Sequence, residues 1–164
     1  MPVVGLISDT HGLLRPEAVR ALVGSDLIIH AGDVGGPEIL DSLRAVAPVV
    51  AVRGNVDTGA WASGLPGTAV AEAGGTLLYV LHDLNELDLD PAAAGFGVVV
   101  SGHSHQPARA ERGGVLFVNP GSAGRRRFKL PVTVARLDLG RVPWGVEFVA
   151  LEEFPARDKQ SPSD

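Results

Sequence analysis

Val3-Val4-Gly5-Leu6-Ile7-Ser8-Asp9-Thr10-His11-Gly12 decides how this chain is built. Val3, Val4, Leu6 and Ile7 form an apolar run too short for a helix, and small polar residues end it. This is the signature of a buried strand, here residues 2–8, running into a polar loop. The unit then repeats. Residues 16–23 follow as a helix, with Pro16 suited to its first turn, Glu17 to its positive end and Gly24 as its stop. Residues 26–30 make a second apolar strand, cut off by Gly32-Asp33. Residues 37–44 make a second helix, opened by Pro37. Residues 48–53 make a third strand, ended by Gly54-Asn55-Val56-Asp57. Strand, Gly-containing loop and helix in succession call for parallel strands joined by crossover helices.

Further along the chain the pattern changes. Residues 68–73 and 76–81 flank Gly74-Gly75, and residues 108–111 and 115–118 flank Arg112-Gly113-Gly114; both read as hairpins. A short helix is expected over 88–94, a Val-rich strand over 97–101, and closing strands over 132–139 and 146–151. That is more strand than one small sheet needs. The expected architecture is therefore α/β, with two stacked sheets and helices outside. Residues 1–154 read as one domain. Residues 155–164 are polar without apolar periodicity and read as a disordered tail.

Bulk composition removes several function classes. The chain has 164 residues, 45% hydrophobic and 20% charged, with a net charge of -5. An acidic balance disfavours a stable nucleic-acid partner held by bulk attraction, although Arg125-Arg126-Arg127 is a local basic run. Cysteine is absent, so disulfides and thiolate metal sites are excluded. No apolar run is long enough for a membrane span, and the start of the chain lacks the pattern of a signal peptide. The expected compartment is the cytoplasm. No Gly-x4-Gly-Lys loop is present, which argues against nucleotide-driven phosphoryl transfer.

Side chains able to bind metals fall at strand ends: Asp9 and His11, Asp33, Asn55, His82, and His103 with His105. Alone, each is an ordinary turn residue or a hydrogen-bonded histidine. Together they place seven N/O donors where open α/β sheets collect functional residues. Two cations sharing one carboxylate would suit such a set, with Asp33 as the candidate bridge. Imidazole and carboxylate without sulfur suit Mn, Fe, Zn, Ni or Co. Ser8, Ser101 and Ser104 read as loop or strand-end residues rather than nucleophiles. Asp57, His30, Arg53 and Arg125 are candidates for supporting a ligand or touching substrate.

Asp9-x-His11, Gly32-Asp33, Gly54-Asn55-Val56-Asp57, His82, Gly102-His103-Ser104-His105 and Asn119-Pro120-Gly121-Ser122 together resemble the calcineurin-like metallophosphoesterases, in particular their small bacterial and archaeal phosphodiesterase branch. The resemblance implies a four-layer αββα sandwich of two mixed sheets flanked by helices. It implies one metal on Asp9, His11, Asp33 and His105, and another on Asp33, Asn55, His82 and His103. It implies hydrolysis of a small phosphodiester by a hydroxide bridging two divalent ions, manganese first among them, with Ni, Fe, Zn, Co or Mg as alternatives. Asn119-Pro120-Gly121-Ser122 corresponds to a structural turn. Two departures stand out. Val56 replaces the histidine that many members use to protonate the leaving group, which the phosphodiesterase branch also lacks. Asp83-Leu84 replaces the Gly-His that commonly follows His82. Alternative readings are a phosphomonoesterase, or a non-catalytic protein-interaction scaffold like the metal-impaired retromer subunit of this fold. Homo-oligomerisation stays open.

Overall fold

The structure, a computed structural model, describes residues 2–127 and 129–151; the tail expected at 155–164 lies outside the described residues. Strand β1 (Val3–Ile7), helix α1 (Pro16–Leu22), β2 (Leu27–His30), α2 (Pro37–Arg44) and β3 (Val49–Ala51) form the repeated unit that the sequence predicts. β1 pairs parallel with β2, and β2 parallel with β3. Both helices start on a proline, and each has an acidic residue in its first turn and a basic one in its last, as the helix dipole favours.

The hairpins β4 (Thr68–Ala73)/β5 (Thr76–Leu81) and β7 (Ala108–Arg112)/β8 (Val115–Asn119) also form as expected. Each turns on a glycine pair with positive φ at both positions, the backbone that a two-residue hairpin loop demands. Between them runs β6 (Val98–Val100), parallel to both β5 and β8. β9 (Thr133–Asp138) and β10 (Gly145–Ala150) return to the first sheet, where β9 lies antiparallel against β1.

Among the described residues there are thus two five-stranded mixed sheets, in the orders β10-β9-β1-β2-β3 and β4-β5-β6-β8-β7. Apolar alternation glues them together. Val4, Leu6, Ile29, Leu78, Val80 and Val100, all buried, fill the space between the sheets. The opposite face of the first sheet, including Ile7, Ile28 and Val134, packs against Leu22, Leu40 and Leu43 of the helices. This is an αββα sandwich whose fourth layer is thin. Over the second sheet, Leu84, Leu87, Leu89 and Phe96 cover Tyr79, Leu81 and Val99.

That outer segment corrects one expectation. Residues 88–94 form no helix; the ordered turn is a 3-10 helix at Leu84–Glu86. The Asp90 side chain accepts from the amides of Ala92 and Ala93, and Gly95 at φ 90° stops the turn before it can propagate. A second correction concerns where the strand ends meet. They meet not along one sheet but at one end of the sandwich, with the loops after β1 and β2 contributing from one sheet and those after β5 and β6 from the other, while Asn55, after β3, lines a cavity beside His82 and His103. No helix among the described residues is long and apolar enough to cross a membrane.

Candidate metal centre

The loops after β1 and β2 lock together through their backbones, and the loop after β6 joins them through the His103 amide, which donates to Asp9 Oδ2. The amide of Asp9 donates to the Gly32 carbonyl at 3.0 Å, that of His11 to Asp33 at 2.9 Å, and that of Gly12 to Val34 at 2.8 Å. Within these loops Asp9, His11, Asp33, His103 and His105 all adopt positive φ, between 49° and 74°. Left-handed backbone is uncommon outside glycine. Five such residues at one end of a domain mark a site whose side chains are aimed by the backbone at some energetic expense.

Two groups of donors result: Asp9, His11 and His105, and Asp33, His82 and His103, each with donor atoms within 4.8 Å of one another. Asp9 is held by one oxygen: Oδ2 accepts from Ser8 Oγ at 2.7 Å and from the His103 amide at 3.1 Å. Its other oxygen, Oδ1, lies 3.8 Å from His11 Nε2, 3.5 Å from His105 Nε2 and 3.9 Å from His82 Nε2. Asp33 is arranged likewise. Oδ1 accepts from the Val56 amide at 3.0 Å, and Oδ2 faces His82 Nε2 at 3.2 Å and His11 Nε2 at 3.5 Å. Asp33 therefore reaches a histidine of each group. His82 Nδ1 donates to the Ala31 carbonyl at 2.8 Å, which leaves Nε2 as the nitrogen offering a lone pair.

Asp9 Oδ1, His11 Nε2, His82 Nε2 and His105 Nδ1 are buried without a hydrogen-bond partner. An unpaired buried polar atom costs about 1–3 kcal/mol, so a cluster of them calls for a ligand. With two carboxylates and four imidazoles, the chemistry of the set fits divalent cations. The protein groups alone already couple tightly. Burial opposes ionisation of Asp33, but His82, the Val56 amide and His11 outweigh it and hold its pKa down at about 2. Burial also opposes protonation of His82, but Asp33, the Ala31 carbonyl and Asp9 push its pKa up to about 8. Burial lowers the pKa of His105, with Arg127 and His11 adding to the effect.

The other candidates separate by role. Asn55 lines a cavity of ≈ 410 Å³ together with His82 and His103. Asp57 is buried and accepts three backbone amides, those of Val34, Gly35 and Gly54 at 2.9–3.0 Å, which clamps the Asp33 loop to the Asn55 loop. His30 is fully buried. The Gly32 amide donates to its Nδ1 at 3.1 Å, so Nε2 carries the proton and donates to Thr10 Oγ1 at 3.0 Å; Thr10 in turn donates to the Val34 carbonyl. His30 therefore ties loops and lies outside both donor groups. Arg53 reaches the Leu65 carbonyl with Nη1 at 2.8 Å and lines the same cavity as Asn55. Arg125 is exposed on the loop after β8, where Arg127 is the arginine whose charge is felt by His105. Asn119 holds the turn that follows β8, donating to the Gly102 carbonyl and Ser104 Oγ and accepting from Gly121.

Two contributors escaped the sequence reading. Ser8 anchors Asp9, and only its place beside a ligand candidate could have flagged it. Asp83, beside His82 in sequence, sits with Oδ2 3.9 Å from His103 Nε2.

A two-sheet sandwich with paired oxygen-and-imidazole clusters at one end points to a metallophosphoesterase-like domain. Known proteins agree: the calcineurin-like phosphoesterase superfamily domain matches residues 3–141, and the chain belongs to that superfamily. It is 39% identical over 133 residues to a "probable metallophosphoesterase" of Methanocaldococcus jannaschii, covering 73% of this chain and 67% of that one. In structure it resembles a novel archaeal phosphodiesterase, with a TM-score of 0.74 and 21% identity, covering 90% of this chain and 99% of that one. It equally resembles Vps29 of Chaetomium thermophilum, with a TM-score of 0.74 and 18% identity, covering 92% and 96%. At such identities these two likenesses speak for the fold alone.

Proposed function

We propose that the protein hydrolyses small phosphodiesters with two divalent cations, manganese being the first choice. Asp9, His11, Asp33 and His105 would hold one ion, and Asp33, Asn55, His82 and His103 the other, with Asp33 shared. The observation that carries this reading is the buried, unpartnered set Asp9 Oδ1, His11 Nε2 and His82 Nε2, gathered around the free oxygens of two anchored carboxylates. A scaffold with no use for metal gains nothing from such a set, which favours catalysis over the protein-interaction reading.

Bound cations would acidify a water and neutralise charge developing on the phosphoryl oxygens. The chain's own groups do the rest. Ser8 and the His103 amide fix Asp9, the Val56 amide fixes Asp33, and the Ala31 carbonyl fixes the His82 tautomer. Val56 is exposed and has no proton to give, so a poorly leaving alkoxide receives none from that position. This supports diesters over monoesters.

The test is metal analysis of the purified protein together with hydrolysis of bis(p-nitrophenyl) phosphate and p-nitrophenyl phosphate. Assays run with Mn, Ni or Mg, and after chelation. Two ions per chain and metal-dependent cleavage of the diester are expected. Faster cleavage of the monoester would refute the diesterase subclass, and absence of any metal-dependent turnover would refute the enzyme.

A further inference from the structure

Two unlike cavities meet at Asp83 and His103. One is a groove of ≈ 220 Å³ along the outer face of the second sheet, running from Gly102-His103-Ser104 past Leu84, Ala108, Ala110 and Phe117 to Arg112. Its wall is mostly apolar, and the Arg112 guanidinium lies 4.8 Å over the Phe117 ring. The other, of ≈ 410 Å³, lies beyond Asn55 and His82 and is lined by Thr68, Glu86 and Asp88. The two share Asp83 and His103 alone.

We infer that the substrate is an unsymmetrical phosphodiester, with a flat apolar arm (an aryl or nucleobase group) in the groove and a small hydroxylated arm in the second cavity. The inference rests on the phosphodiesterase reading above and adds the identity of the two ester substituents. A phosphoryl group beside His103 projects one substituent into each opening, whereas a monoester fills only one. The floor of Leu84, Ala108, Ala110 and Phe117 rewards removal of a flat apolar surface from water, and arginine stacked on phenylalanine offers a further planar face. The second cavity presents the carboxylates of Asp83, Glu86 and Asp88, while Arg53 has Nη1 committed to the Leu65 carbonyl. A substituent ending in another phosphate would be repelled there, and one rich in hydroxyl donors would find acceptors.

The groove can be narrowed without touching the donor groups. Ala108 and Ala110 are exposed on the edge strand β7, so Ala110→Trp and Ala108→Leu fill the groove from outside the core. Affinities of phenylphosphonate and methylphosphonate for the Mn-loaded full chain are measured by calorimetry, and bis(p-nitrophenyl) phosphate hydrolysis is followed alongside. Wild type should bind phenylphosphonate about tenfold more tightly than methylphosphonate, the factor expected when much of one ring face is buried. That ratio should collapse to within about twofold in Ala110→Trp, or in Ala108→Leu should the larger residue prevent folding. Equal affinities in wild type, or a ratio unchanged in a folded variant, would overturn the groove assignment while diester hydrolysis still stood. Absence of diester hydrolysis would overturn the diesterase reading, and the arm assignment with it.

Discussion

The imidazole of His30 is fully buried, and burial pulls its pKa from 6.5 down to about 4 against the pull of Asp9 and Asp57. The folded protein therefore binds fewer protons at this position than the unfolded chain does between those two values. Its stabilising share is complete above pH 6.5 and is lost as pH falls toward 4. Urea midpoints should show a loss of about 2 kcal/mol from this group between pH 7 and pH 5. His30→Gln, which keeps an acceptor and a donor but cannot titrate, should flatten that part of the profile; an unchanged slope would refute the assignment. The donor residues separate by how many partners they serve. Asp33→Ala should abolish binding of both ions and reduce turnover to background, because Asp33 Oδ2 faces histidines of both groups. Asn55→Ala should bring the metal content from two toward one per chain, as read by elemental analysis. Wild-type metal content in Asp33→Ala would rule out sharing. The six members of the two clusters were legible in the sequence because each follows an apolar strand. The left-handed backbone that aims five of them was not, since Asp and His carry no mark of it; Asp57 was legible as a supporting residue, but not the three backbone amides by which it clamps two loops.

At the scale of elements, the loops are braced by glycines that precede the donors. A Cβ on Gly54 would collide with Asp33, and one on Gly102 would lie 2.7 Å from Asp9 Oδ2 and strike Ser8 Oγ. Each of these glycines makes room for a donor from another loop, so the loops fit only as a set. Gly102→Ala should push Ser8 off Asp9 and weaken metal affinity about 10–100-fold, the range for loss of an outer-shell contact. Circular dichroism should show the sheets intact; native affinity in the variant would contradict the packing argument. Helices and strands were readable because proline starts, glycine stops and the two hairpin pairs are local signals. Residues 88–94 were misread because the turn that Asp90 caps is ended by Gly95, at φ 90°, before a second turn can form.

For the whole molecule, the donors arrive from both sheets. β1, β2 and β3 carry Asp9, His11, Asp33 and Asn55, and the second sheet carries His82, His103 and His105. Ions bound there would staple the two halves of the sandwich at one end and stabilise only the folded chain. Free Mn at about 100 times its dissociation constant should raise the melting temperature by about 5–10 °C, and chelation should remove the gain. A melting temperature indifferent to metal would count against the centre.

The left-handed turns bear on how durable the chemistry is. Asn tolerates that backbone about as well as Asp or His, whereas a β-branched residue does not. In chelator, His103→Asn should melt within about 2 °C of wild type, while His103→Val, forced to φ 74°, should melt lower. Ancestry can thus erase a ligand and keep the corner of chain that displayed it. The corner does not depend on the side chain it displays, so a descendant without the ligand keeps the same silhouette and forfeits only the support that bound ions would lend.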